Sequence, residues 1–500
     1  MRGESRPVDV LVIGAGIGGL AAAIRLSAAG RSVRLLEKNA HPGGKCDRLV
    51  RDGFHFDLGP SVLTLPFLLD ELFEAAGRRR EDYLEIEPVE PGCSYFFPDG
   101  FRFDAPGTMD AFEAAVAEAF PAEIDGFRRF RAHIARIWEV GGPAFLFHPP
   151  GPAALRSIPL GKAVRALPDL LPGRMHARLR RFFRDPRLIQ LFARFATYNG
   201  SDPYRTPATF NVVAHAELAF GSWRCRGGMF ALPRALDRLA GETGVERLYD
   251  TEVARVRFDR AGRPAGAETT DGGFHAARAV VCNRDAVAAR AGRLLAGHPA
   301  SARWRRRAEK GEASGSGFVL LAALGERCPD LSCHNVFFSD DYPAEFDGLF
   351  GRPRPLENPT IYVSRPAGAE PGLAPPGKEG WFVLVNAPSL QGCGEWDVDG
   401  YAARLLGRLR SAGGLRPERI EWTYAHGPAY YEERYGSWFG SLYGMSSNPI
   451  RQAFLRVPNR PRSTPGLFFA GGSAHPGGGI PLVLLSGRFA AEACGSFLSR

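Results

Sequence analysis

Two strand–glycine–helix patterns lie more than four hundred residues apart and together constrain this chain more than any other feature. The first is Val10-Leu-Val-Ile-Gly-Ala-Gly-Ile-Gly-Gly-Leu20. The second is Gly466-Leu-Phe-Phe-Ala-Gly-Gly-Ser-Ala-His-Pro-Gly-Gly-Gly-Ile-Pro-Leu-Val-Leu-Leu-Ser-Gly487. Each reads as a buried strand running through a glycine cluster into a helix. Two such turns at opposite ends imply one nucleotide-binding domain assembled from both ends. Glycine is required where backbone must approach a phosphate or ring closely, because a Cβ would block the approach.

The first turn carries Gly14, Gly16 and Gly19 in the spacing G-x-G-x-x-G, after an apolar, β-branched run suited to a parallel strand buried on both faces. Residues 20–29 have helical composition and stop at Gly30. A second strand, Ser32 to Leu36, ends at Glu37. Strand, tight turn, helix, strand and terminal acid complete a dinucleotide fingerprint. The helix N-terminus offers free N–H groups and partial positive charge to a pyrophosphate. Glu37 would accept from a ribose diol and repel a 2′-phosphate, which disfavours NADP. Pro42-Gly43-Gly44-Lys45 follows almost at once, as in flavoproteins, where a second glycine pair lets the chain pass close to the cofactor. No second G-x-G-x-x-G and no C-x-x-C follow, which argues against a separate NAD domain and a redox-disulfide flavoenzyme.

Five hundred residues exceed one compact core, so two interleaved domains are expected. The expected division gives residues 1–105, 216–290 and 456–500 to the nucleotide domain, and 106–215 and 291–455 to a mixed α+β substrate domain. The eight cysteines have no metal-site spacing and read as buried thiols of a reducing cytoplasm. The leader Met1 to Pro7 is too short and polar for a signal peptide. No apolar run approaches the 18 residues of a spanning helix. The net charge of +9 has no nucleic-acid recognition motif beside it. An anionic membrane surface is the better match.

Residues 174–198 interleave Met175, Leu179, Phe182, Phe183, Leu188, Leu191, Phe192 and Phe195 with seven arginines. The apolar positions fall near helical spacing, interrupted by Pro186. A basic amphipathic helix of this kind lies in a membrane interface, or else packs on the core with a solvated basic face. The membrane reading is the one carried forward.

The motifs resemble those of the bacterial carotenoid desaturases of the phytoene dehydrogenase type, within the FAD amine-oxidase-like superfamily, nearly end to end. The markers are residues 14–19, Pro42-Gly-Gly-Lys45, Asp57-Leu-Gly-Pro60, Gly200-Ser-Asp-Pro-Tyr204, Arg226-Gly-Gly-Met229, His334-Asn335, Ala374-Pro375, Phe382-Val-Leu-Val-Asn386, Gly440-Ser-Leu-Tyr-Gly444 and His475-Pro-Gly-Gly-Gly-Ile-Pro481. The Ala-Gly-Gly-Ser-x-His-Pro-Gly form is similar to two branches: late-acting desaturases of hydroxylated or methoxylated carotenoids, and diapolycopene-type oxygenases.

The resemblance implies an α/β fold, with a Rossmann-like FAD-binding domain interleaved with the substrate domain. It implies an FAD site at Gly14, Gly16, Gly19, Glu37, Lys38, Gly43, Gly44, Lys45, Gly59, Val253, Gly471, Gly472 and Pro481. It further implies a hydrophobic polyene substrate, peripheral attachment to the inner face of the cell membrane, and oxygen or a quinone as electron acceptor. Desaturation removes two hydrogens from adjacent allylic carbons, one as hydride to the flavin. The polyene stabilises the resulting cation, so positioning and exclusion of water are the protein's main tasks. His475 is the expected catalytic residue, assisting proton removal; its alternative role is to orient the Pro-Gly-Gly-Gly turn. Competing readings are a terminal-methyl oxidase, a retinol-saturase-like reductase, an amine oxidase and a non-enzymatic lipid-binding flavoprotein.

Overall fold

The computed structural model describes residues 5–151, 154, 156–394, 396–413 and 416–500, so part of the leader, residues 1–4, lies outside the described residues. The strand Ser5–Ile13 forms the middle of the first sheet. It pairs in parallel with Val33–Leu36 on one side and Phe274–Cys282 on the other. Glu246–Leu248 extends the first edge and Leu467–Phe469 the second, both in parallel. Val253–Phe258 and Pro264–Thr269 add an antiparallel flap. In register, Leu35, Val12, Val281 and Phe468 form one row across four strands drawn from both ends of the chain.

Both faces of this sheet are covered, as its continuous apolar strands require. Val10, Val12, Leu35 and Val281 face the helices Ile17–Ala28, Ala231–Glu242 and Ile480–Leu498. Leu11, Ile13, Leu36 and Val280 face a second cluster containing Trp304. The helices Ile17–Ala28 and Ile480–Leu498 cross closely at Gly487, where an added Cβ would lie 2.7 Å from the Gly18 carbonyl oxygen and 2.8 Å from the Ala21 Cβ.

A second sheet runs in the order Ile420–His426, Ser316–Leu324, Glu379–Ala387, Ile361–Ser364, His334–Phe337, Cys93–Phe96 and Arg102–Ala105. Its pairs are antiparallel except the junction of His334–Phe337 with Cys93–Phe96. A helical, phenylalanine-rich layer packs beside this sheet.

Three expectations are corrected. The boundary at residue 105 falls before residue 93, because Cys93–Phe96 and Arg102–Ala105 belong to the second sheet. These are four-residue strands, too short for periodicity to separate from loop. Residues 174–198 do not lie on a lipid-facing apolar stripe: Met175, Leu179, Phe183, Leu188, Leu191, Phe192 and Phe195 are buried in the phenylalanine-rich core. Pro186 starts a helix there, with Asp185 as its N-cap accepting from the Arg187 N–H at 2.8 Å. Finally, Ile480–Leu498 is long and apolar enough to cross a membrane by length and composition. Ser486, Gly487 and Arg488 break its apolar run in sequence. In the fold it is a core helix, with Leu484, Leu485, Phe489 and Cys494 buried.

Candidate functional site

A cavity of about 510 Å³ opens between the two sheets. Its floor is the first glycine turn. Gly14 there takes φ +99°, a conformation open to glycine and strained for other residues. A Cβ on Gly16 would lie 2.7 Å from Asn283 Oδ1. Asn283 follows Phe274–Cys282 directly and donates its N–H to the Ile13 carbonyl at 2.8 Å. The second glycine turn closes on the same point: a Cβ on Gly18 would lie 3.0 Å from the Gly471 nitrogen. Gly43 donates to the Ala15 carbonyl at 3.0 Å, laying the Pro42-Gly-Gly-Lys45 segment along the turn.

Two helix N-termini therefore converge on the cavity. Ile17–Ala28 starts at Gly16 and Ile480–Leu498 at Gly479; neither has a side-chain cap or an acid in its first turn. Their first N–H groups lack side-chain partners, and their macrodipoles place partial positive charge at the cavity wall. Glu37 is buried, with Oε2 accepting from Ala15 N–H at 2.7 Å and Oε1 from Asn39 N–H at 2.9 Å. This glycine-lined cradle, with free donors on the pyrophosphate side and an acid at the far strand end, fits a dinucleotide.

Gly14, Gly16, Glu37, Lys38, Gly43, Gly44, Lys45, Gly59, Val253, Gly471, Gly472 and Pro481 all line this cavity. Lys45 is half-buried; desolvation pulls its ammonium down to about 8, and it donates to the Leu442 carbonyl at 2.7 Å. Gly59 is held to glycine by packing, since a Cβ would overlap the Lys45 carbonyl oxygen.

Gly19 and His475 are not among the lining residues. Gly19 sits inside the helix, where a Cβ would overlap the Gly14 carbonyl oxygen, so its role is close helix–strand packing. His475 is buried between Phe145 and Phe489, with Nε2 3.2 Å from the His148 carbonyl oxygen and Nδ1 without a partner. Burial pushes its imidazole down to about 4, so it stays neutral. This placement corrects the expectation of a catalytic His475. The ring packs behind the second turn, where a wholly local motif could not reveal which way it pointed.

The sequence reading missed the opposite wall. Val336, Tyr362, Phe382 and Leu384 from the second sheet line it, with Leu442 and Tyr443. Tyr362 Oη lies 2.7 Å from His334 Nδ1 and 2.6 Å from Ser61 Oγ. Arg194 also lines the cavity; it donates to Tyr95 Oη at 2.7 Å and lies over the Tyr95, Phe195 and Tyr198 rings. The Asp57 and Arg226-Gly-Gly-Met229 motifs meet nearby, where the Asp57 carboxylate accepts from Met229 and Phe230 N–H groups at 2.8 and 3.0 Å. Burial raises this carboxyl to about 6. Among the described residues no group of three His, Cys, Asp or Glu is placed to hold a metal.

Comparison with known proteins agrees with this geometry. Residues 17–495 match the flavin containing amine oxidoreductase family. A 1-hydroxycarotenoid 3,4-desaturase of Flavobacterium sp. (strain P99-3) is 34% identical over 488 residues, covering 96% of this chain and 98% of the relative. A 4,4'-diapolycopene oxygenase of Methylomonas sp is 34% identical over 499 residues, covering 96% of each. These names fall in the two branches that the second glycine turn resembles. The solved structure of an oxidoreductase from Methanosarcina mazei shares the fold, with a TM-score of 0.63 at 18% identity over 97% of this chain and all of that one. The chain is thus a flavin oxidoreductase, and it belongs to the flavin containing amine oxidoreductase family, within the group that holds these carotenoid enzymes.

Proposed function

We propose that this enzyme binds FAD non-covalently and desaturates a long polyene. The observation that carries the reading is the continuity of one cavity. It joins the dinucleotide cradle to an apolar wall built by Val336, Phe382, Leu384 and Leu442. Gly14, Gly16 and the start of Ile17–Ala28 would hold the pyrophosphate, Glu37 the ribose, Val253 the adenine side, and Gly471, Gly472 and Pro481 the ring side. Bound FAD supplies the two-electron acceptor for hydride. The apolar wall fixes the polyene and excludes water, which orients the reacting carbons and protects the developing cation. The second hydrogen leaves as a proton, and oxygen or a membrane quinone takes the electrons onward. The enzyme works at the inner face of the cell membrane, where such a substrate dissolves.

Similarity to the diapolycopene oxygenase supports a second reading, oxidation of a terminal methyl group on the same scaffold. Expression in cells making different carotenoid precursors, followed by pigment analysis, separates the two. Desaturation lengthens the conjugated chain by carbon–carbon double bonds, whereas terminal oxidation produces an aldehyde. Flavin-loaded protein that changes none of the precursors overturns both.

A further inference from the structure

The segment 159–171 packs in the opposite sense to an ordinary surface helix. Leu160 and Val164 lie on the helix Leu160–Ala166, and Leu167 and Leu171 in the turns that follow it. They are 80, 57, 60 and 55% exposed. The side turned to the protein is held by polar contacts instead. Asp169 is buried, with Oδ1 2.6 Å from His133 Nδ1 and Oδ2 accepting from Arg136 Nε at 2.5 Å. Arg178 donates to the Leu171 carbonyl at 3.0 Å. The helix Leu160–Ala166 and the turn after it are therefore fixed with these apolar side chains outward. Exposed apolar side chains grouped in this way mark an interaction surface.

We infer that this apolar group inserts into an anionic lipid surface, an inference that rests on the polyene reading above. Exposed Arg165 lies on the same helix, exposed Arg174, Arg180 and Arg181 follow in the next segment, and the chain carries a net charge of +9, a charge that complements phosphate headgroups. Apolar insertion and basic attraction thus come from adjacent segments. Of the arginines of 174–198, the exposed Arg174, Arg180, Arg181 and Arg184 supply charge, while Met175, Leu179 and Phe183 between them stay in the core. A second copy of the chain fits less well, because four side chains fall well short of the about 800 Å² per partner that a stable dimer buries.

The test uses the full flavin-loaded chain and sedimentation with vesicles of phosphatidylglycerol or phosphatidylcholine. Leu160→Ser with Leu167→Ser should lower binding to both vesicles at least tenfold. Arg165→Gln with Arg180→Gln should lower binding to phosphatidylglycerol at low salt and leave binding to phosphatidylcholine unchanged. Both variants should keep wild-type flavin content and wild-type turnover of detergent-dispersed polyene. Wild-type vesicle binding by the leucine variant overturns the inference. So does a concentration-dependent dimer that the same two substitutions abolish. Protein that binds vesicles through this face yet converts no polyene overturns the proposed function and leaves the lipid surface standing.

Discussion

Glu37 is held by the protein at both carboxylate oxygens, one to Ala15 and one to Asn39. Oε1 accepts from both the backbone N–H and the side-chain Nδ2 of Asn39, whereas Oε2 keeps a further lone pair, so the acid is oriented for a ribose hydroxyl before any cofactor arrives. The glycines beside it have no such reserve. Gly16→Val sends a side chain toward Asn283 and into the cavity. The expected outcome is folded but colourless protein, checked by circular dichroism and flavin absorbance. His475 makes the contrary case. Loss of a general base costs roughly 10²–10⁴-fold in rate. Because His475 is buried behind the turn, His475→Gln should lower turnover less than about tenfold. Its acid behaviour should change more. The imidazole sits at about 4 in the folded chain, below its usual value, so it binds a proton less readily folded than unfolded. It therefore contributes stability that is present above pH 6.5 and is lost as pH falls toward 4. His475→Gln should make acid destabilisation in that window shallower by up to about 1.4 kcal/mol per pH unit, read from denaturant melts at stepped pH.

The helix pair Ile17–Ala28 and Ile480–Leu498 brings the two glycine turns together, and Gly487 sets how closely they approach. Gly487→Leu should destabilise the fold by about 1–3 kcal/mol or more through overpacking and weaken flavin binding as the turns separate. Thermal melts and flavin titration check both effects. These two turns were legible in the sequence because each is local: strand, glycines and helix follow one another without a gap. The far wall was not legible. Arg194, Tyr362 and Leu384 come from three elements that only sheet register and helix packing bring to one cavity. The segment 174–198 failed for a different reason. Helical spacing of Phe and Leu shows that one face is covered, and protein and lipid satisfy that pattern equally. Beside it, the outward residues of 160–171 were not singled out, because four apolar residues between Pro159 and Pro172 do not show in sequence whether they face core or solvent.

At the scale of the whole molecule, cofactor and fold stabilise each other, since the cavity is lined from both sheets. A ligand that binds only the folded state adds about 2.7 kcal/mol at one hundred times its dissociation constant. Excess FAD should therefore raise the melting temperature in step with its concentration, and a melting temperature insensitive to FAD would count against the cradle. The row Leu35–Val12–Val281–Phe468 has one more consequence, in biosynthesis. At 5–20 residues per second, a ribosome needs roughly 20–90 s to deliver Phe468 after Val12 has emerged. Phe274–Cys282, made part-way through that interval, then waits for its partner Leu467–Phe469, and until the end of the interval the second glycine turn does not exist. Flavin loading must then follow release of the nascent chain. Messages truncated before this point should yield colourless products that proteases clear, so the pigment of the cofactor reports completed translation.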